Sequence, residues 1–237
     1  MKTKKNIIIR KATLSDVEDM VILEEDVWGK EGADEEKIKA RINIFPEGNL
    51  IAINDGDVVG YVSFQYVDDI SRGATFTWQE ITDNGKTEKS HKPKGNFIYG
   101  INLSVHSSMN GHKVSESLVM HGLANMIKNN KRGSFIGSRI PGFAKYKKRN
   151  PHIDVTYYIN LRRSSNNKLR DSELALYESD GFKAVKVLPG YFPDPASLDY
   201  GVLVYHKNLF YNWPFKKLMA WLIVKLGPKL IKNKEVK

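Results

Sequence analysis

One stretch constrains this chain more than any other: an apolar strand over residues 97–105 that empties into a polar turn and then a helix. Phe97 to Val105 has the β-branched and aromatic content of a strand, with one face wholly apolar, which predicts a central strand. His106 to His112 breaks that pattern. From Lys113 onward, Val114, Leu118, Val119, Leu123, Met126 and Ile127 follow helical spacing. A strand therefore feeds a helix through a short loop. The first amides of such a helix have no internal partner and face the loop, where the helix dipole also favours negative charge. That geometry is an anion site, most often for phosphate.

Composition narrows the chemistry. With 37 Lys+Arg against 27 Asp+Glu the formal charge is +10, which favours anionic partners without choosing among nucleic acid, lipid and a phosphate-bearing cofactor. Zero cysteines exclude disulfides, thiolate metal sites and a cysteine nucleophile. The six histidines are dispersed and form no His-x-x-x-His pair, so no metal is expected. Nucleic-acid binding has only charge behind it, and none is expected. Residues 1–9 lack the apolar core of a signal peptide, and no apolar run approaches the length of a bilayer span. A cytoplasmic protein is the expectation.

Around the central unit, Ile7 to Arg10 reads as a first strand. Thr13 to Asp16 is a capping box opening a helix through about Val27. Asp34 to Phe45 is a second helix, with Ile38, Ile42 and Phe45 on one stripe. Leu50 to Ile53 and Val58 to Phe64 are strands joined by a turn at Asn54 to Asp57. Residues 68–96 form a polar connection longer than a hairpin needs, and such a loop is either functional or a solvated excursion. Gly133 to Ser138 is a further strand, ending in Arg139-Ile140-Pro141-Gly142-Phe143. Asp154 to Arg163 is expected to be helical and to stop at Ser164 to Asn167. Asp171 caps a helix over Ser172 to Asp180, which Gly181 ends. Strands over Lys183 to Leu188 and Tyr200 to Tyr205 follow.

The order of these segments resembles the GNAT family of acyl-CoA-dependent N-acetyltransferases. Asn110-Gly111-His112-Lys113-Val114-Ser115 stands where that family has Arg/Gln-x-x-Gly-x-Gly/Ala, with Lys113 and Ser115 in place of the two later small residues. Leu176-Tyr177-Glu178-Ser179-Asp180-Gly181-Phe182 matches the family's Leu-Tyr-x-x-x-Gly-Phe join. Thr77-Trp78-Gln79-Glu80-Ile81-Thr82, the His91 to Gly95 segment, the Arg139 turn and the Asp194 region are similar to an acetyltransferase-like domain found ahead of carbon-nitrogen hydrolase domains in some bacterial proteins. The likeness covers residues 6–208.

The resemblance implies an α/β (α+β) fold: a mixed, mostly antiparallel central sheet flanked by helices, with residues 1–208 as the domain, while 209–237 lie outside the likeness and read as a basic amphipathic helical tail. It implies acetyl-CoA as co-substrate and transfer of an acyl group to an amine by direct aminolysis. Strands 97–105 and 133–138 would splay around the pantetheine arm. Free amides on Leu103 or Val105 would polarise the thioester carbonyl, and Asn110, Gly111, His112, Lys113, Val114 and Ser115 would hold the pyrophosphate. Tyr177 is the expected general acid, against a plain packing role. Glu80 and His91 are candidates for the general base, and Trp78 and Arg139 for substrate contacts. The competing reading is a catalytically silent acyl-CoA-binding or regulatory module, which the altered phosphate turn keeps open.

Beyond the resemblance, Trp213, Phe215, Leu218 and Trp221 sit among Lys216, Lys217 and Lys225, with Pro214 near a helix start and Gly227-Pro228 ending it. Docking of this helix on its own domain or on a second subunit is the favoured expectation. A peripheral membrane contact through 213–234 is the alternative.

Overall fold

The computed structural model describes residues 7–109 and 113–227. Seven strands form one sheet in the order β1-β2-β3-β4-β5-β7-β6. They are β1 (Ile8–Lys11), β2 (Asn49–Asn54), β3 (Asp57–Val67), β4 (Phe97–Val105), β5 (Gly133–Arg139), β6 (Lys183–Leu188) and β7 (Gly201–Lys207). Every neighbouring pair is antiparallel except β4 and β5. Parallel neighbours need a crossover, and the helix following the turn supplies it: α5 (Val114–Lys128).

Two faces of the sheet are covered by different parts of the chain. On one, Leu118, Leu123, Met126 and Ile127 of α5 pack over Val62, Phe64 and Ile98, and the core extends to Ala220 and Ile223 of α9 (Lys216–Leu226). On the other, α1 (Val17–Trp28) and α2 (Glu35–Ile44) bury Met20, Leu23, Ile38 and Ile42 against Ile51 and Tyr61. The capping carboxylate of Asp16 accepts the Thr13 amide at 2.8 Å and pairs with Arg10 at 2.7 Å, tying β1 to the helix start.

The long connection is built rather than solvated. It holds two one-turn helices, α3 (Ser71–Thr75) and α4 (Trp78–Thr82), and buries Ile81 in a third cluster with Tyr99, Phe135 and Tyr191. Downstream, α6 (Phe143–Arg149) follows the Arg139 turn, a helix the apolar spacing did not announce. The helix expected over Asp154 to Arg163 is cut to α7 (Val155–Tyr158). Asn167 adopts φ 55°, which folds Leu161 to Arg163 back against Lys168 to Arg170, with Arg170 N–H bonding Leu161 O at 2.7 Å. The extended pairing wins over helical propensity there. Finally, α8 (Ser172–Ser179) is capped by the Asp171 carboxylate, and Gly181 follows at φ 89°.

Candidate active site

β4 and β5 are paired only at their first residues, Phe97 with Gly133, Ile98 with Ser134 and Tyr99 with Phe135. Beyond Tyr99 they part. A bulge contributes: Ser63 faces Asn102 while Phe64 faces Gly100, so Ile101 is an extra residue on β4. The opening is held from below by Tyr191, whose phenol hydrogen-bonds that of Tyr99 and takes the Gly137 N–H. The Tyr191 ring lies so close to Gly137 that a Cβ there would collide with it.

The parted strands leave a cleft of about 720 Å³ lined by Ile101 to Leu103, Val105, Ile136 to Arg139, Ser115, Leu176 and Tyr177, with Glu24, Trp28, Arg41 and Trp78 on the other wall. The hydrogen-bond phase decides what the β4 edge offers. His106 N–H bonds Val59 O at 3.0 Å, and the register pairs Ser104 with Tyr61 and Asn102 with Ser63. Alternation then turns the amides of Leu103 and Val105 away from β3 and into the gap. The Ile101 carbonyl on the same edge accepts the Trp78 indole N–H at 2.9 Å.

At the end of α5 nearest the cleft, the first helical bond described is Ser117 N–H to Lys113 O at 2.9 Å. The amides of 114–116 thus precede the helical ladder, and Ser115 lines the cleft. Lys113 has φ 61° and ψ 24°, the left-handed conformation that explains a glycine preference at this position. Its ammonium is exposed and lies 3.7 Å from Glu116. Asn110, Gly111 and His112 lie outside the described residues.

Side chains from five elements converge on the cleft. Glu24 of α1 is 2% exposed; it accepts Asn102 Nδ2 at 2.8 Å, the Ala33 amide at 3.0 Å and the Ser104 hydroxyl. Ser104 Oγ also accepts the Trp28 indole N–H at 2.7 Å. Arg41 continues the network, donating to Asn102 Oδ1 at 3.2 Å and to Gly85 O at 2.6 Å. On the β5 side, Arg139 donates to Glu173 at 2.8 Å and its guanidinium lies over the Trp28 ring. Burial pushes the Glu173 carboxyl above its ordinary range, and Arg139 opposes that shift.

Tyr177 is buried with its ring against Phe182. Desolvation, reinforced by the nearby Glu173 and Asp180 carboxylates, raises its phenol well above 10, so it is a neutral proton carrier at pH 7. Among the described residues its hydroxyl has no hydrogen-bond partner.

Trp78 and Arg139 thus lie in the cleft wall, as do Leu103, Val105, Ser115 and Tyr177. Glu80 and His91 do not, which corrects their expected placement. Glu80 is an exposed cap: its carboxylate accepts the amide and hydroxyl of Thr77 at 2.8 and 2.9 Å, which lowers its pKa. Thr77-x-x-Glu80 is itself a capping-box pattern, so this role was legible. His91 lies by the paired end of β4. Its ring stacks on Phe45 at 4.5 Å, its Nδ1 accepts the Tyr66 amide at 3.3 Å, and burial lowers its pKa. Glu24 is the carboxylate that sequence reasoning missed, because its partners Asn102 and Ser104 are far away in the chain. Among the described residues no cluster of side chains is suited to a metal ion.

No family model matches the sequence. Two proteins of Bacillus subtilis (strain 168) are similar to it. The "Uncharacterized N-acetyltransferase YkwB" is 27% identical over 216 residues, covering 87% of this chain and 91% of that protein. The "Probable hydrolase YhcX" is 27% identical over 210 residues, covering 88% of this chain, and the chain spans only 40% of that protein. Among solved structures, the loading GNATL domain of CurA from Lyngbya majuscula aligns with a TM-score of 0.74 at 20% identity, covering 85% of this chain and 98% of that one. The GNAT-like decarboxylase GphF, in complex with isobutyryl-CoA, aligns with a TM-score of 0.71 at 20% identity over 84% and 98%.

Proposed function

We propose that this chain, which has the GNAT fold, is an acyl-CoA-dependent acyltransferase that passes an acyl group to an amine. The observation that carries the reading is the parting of β4 from β5 after Tyr99, which leaves the Leu103 and Val105 amides facing a cleft that runs to the start of α5. An extended pantetheine arm fits that gap as a missing strand, and the helix start suits a pyrophosphate. Support also comes from GphF, whose structure holds isobutyryl-CoA.

In this reading one free β4 amide polarises the thioester carbonyl, so that charge developing on its oxygen is met by a fixed donor. The amine nitrogen attacks the carbonyl carbon, the C–S bond breaks, and the thiolate takes a proton from Tyr177. A thiol's pKa of about 8.5 lies below that of phenol, so the Tyr177 proton is shared as the C–S bond breaks. The phenol is restored through solvent by the proton that the attacking amine loses, which a general base takes up first. We assign that role to Glu24, held in one orientation by Asn102, Ser104 and the Ala33 amide. Trp78 and Arg139 bound the acceptor side. Position supplies most of the acceleration, and no covalent nucleophile is needed.

The test is thiol release from acetyl-CoA with a panel of amines, run beside Glu24→Gln. Acceptor-dependent release that falls about a hundredfold in the variant is expected. Carbon dioxide release from a carboxylated acyl-CoA, with no acceptor-dependent thiol, would replace this reading with decarboxylation. Binding of acetyl-CoA without either reaction would favour the silent module.

A further inference from the structure

We propose that the outer face of α9, together with the segment leading into it, is a docking surface for an anionic lipid bilayer. The helix is already committed on one side. Ala220 and Ile223 are buried in the core over α5, with Met219 and Val224 packed beside them. The opposite side is uncovered: Leu218 is 52% exposed and Trp221 56%, with Trp213 and Phe215 exposed just before the helix. Sequence left self-docking and membrane contact as alternatives, but the geometry gives each its own face of one helix.

Charge identifies the occupant. Lys217, Leu218, Trp221 and Lys225 fall on one outward stripe at helical spacing, so the apolar centre is bracketed by ammonium groups. Between residues 207 and 234 the sequence has seven lysines and no aspartate or glutamate. Lysine stems can lie along an apolar surface while their heads reach phosphates, and exposed tryptophan suits the boundary between the two. A second copy meeting this face symmetrically would set like charge against like charge. A nucleic acid would leave the aliphatic Leu218 without a role. Among the described residues no helix is long and apolar enough to cross a membrane, so the contact is peripheral.

The helix direction relates this face to the cleft. Asn212, just before α9, bonds Asn130 at the far end of α5 at 2.8 Å. Gly227, just after it, lies beside Glu116 in the first turn of α5. Thus α9 runs antiparallel to α5, and its Lys225 end lies at the same end of the molecule as the proposed coenzyme site.

Co-sedimentation of the full chain with vesicles tests the proposal. Pelleting with an equal mixture of phosphatidylglycerol and phosphatidylcholine at low salt is expected, and none with phosphatidylcholine alone. Trp221→Ser should weaken partitioning about tenfold. The double change Lys217→Gln, Lys225→Gln should weaken it about thirtyfold. Lys217, Trp221 and Lys225 are all exposed, so thermal melting should match the parent; if Trp221→Ser melts early, the double variant and the two vesicle types decide. Equal binding to both vesicles, no binding to either, or a lipid-free dimer that Trp221→Ser dissociates would overturn the proposal.

Discussion

Arg139 and Trp28 face each other across the mouth of the cleft, the guanidinium carbon 4.3 Å from the centroid of the indole ring. The same indole donates to Ser104 on β4, and the same arginine pairs with Glu173 on α8. Four elements, β5, α1, β4 and α8, are therefore linked through two side chains. Arg139→Gln should lower stability by about 2 kcal/mol, because the half-buried Glu173 loses its partner. Adding Glu173→Gln should recover part of that loss in thermal melts; a double variant as unstable as the sum of the singles would show that the two do not act as a pair.

Tyr177 offers a sharper kinetic test. Its raised phenol keeps the proton at neutral pH, and the ring packs in the core whether or not the hydroxyl acts. Tyr177→Phe should lower turnover about a hundredfold with coenzyme affinity nearly unchanged, as for a group working in the transition state. Unchanged turnover, with chemistry shown to limit the rate, would reduce it to a packing residue.

The fold was readable where local pattern and packing agree. Strand β4, helix α5, the capped α8 and the order of strands all follow from periodicity and caps that survive in the structure. The site was readable only in part, because its remaining members are joined by contacts rather than by spacing. Glu24 looks like one of several α1 carboxylates until Ser104 is brought beneath it. Gly137 is an unremarkable strand glycine until Tyr191 is laid against it. His91 was misplaced for the opposite reason: a lone histidine in a long loop carries no local sign that Phe45 and Tyr66 will bury it.

Lys113 separates backbone from charge. At φ 61° a lysine is strained by up to about 1 kcal/mol relative to glycine, so Lys113→Gly should stabilise the chain slightly in melts. If its ammonium assists the pyrophosphate, the same variant should weaken coenzyme binding more at low salt than at high salt. Equal loss in both conditions would remove the side chain from the site.

His206 predicts a pH dependence of stability. Its ring is buried 5.3 Å from Phe182, and desolvation lowers its pKa from 6.5 to about 4. Between those values the unfolded chain binds the extra proton and the folded chain does not, so stability rises with pH. The contribution is complete above 6.5 and is lost as pH falls toward 4, amounting to at most about 3 kcal/mol. Denaturant titrations at pH 7 and pH 5 should show this slope, and His206→Phe should flatten it. A variant with the parent's slope would assign the acid sensitivity to other groups.

The proposed function requires the gap between β4 and β5 to receive an acyl-CoA. Calorimetric titration of the full chain with acetyl-CoA measures this directly. One-to-one binding in the micromolar range is predicted for the parent chain. A bulky substitution on the gap edge, Ile136→Trp, should abolish that binding while leaving the chain folded by circular dichroism. No heat at millimolar coenzyme, or undiminished binding to folded Ile136→Trp, would rule out the gap as the coenzyme site.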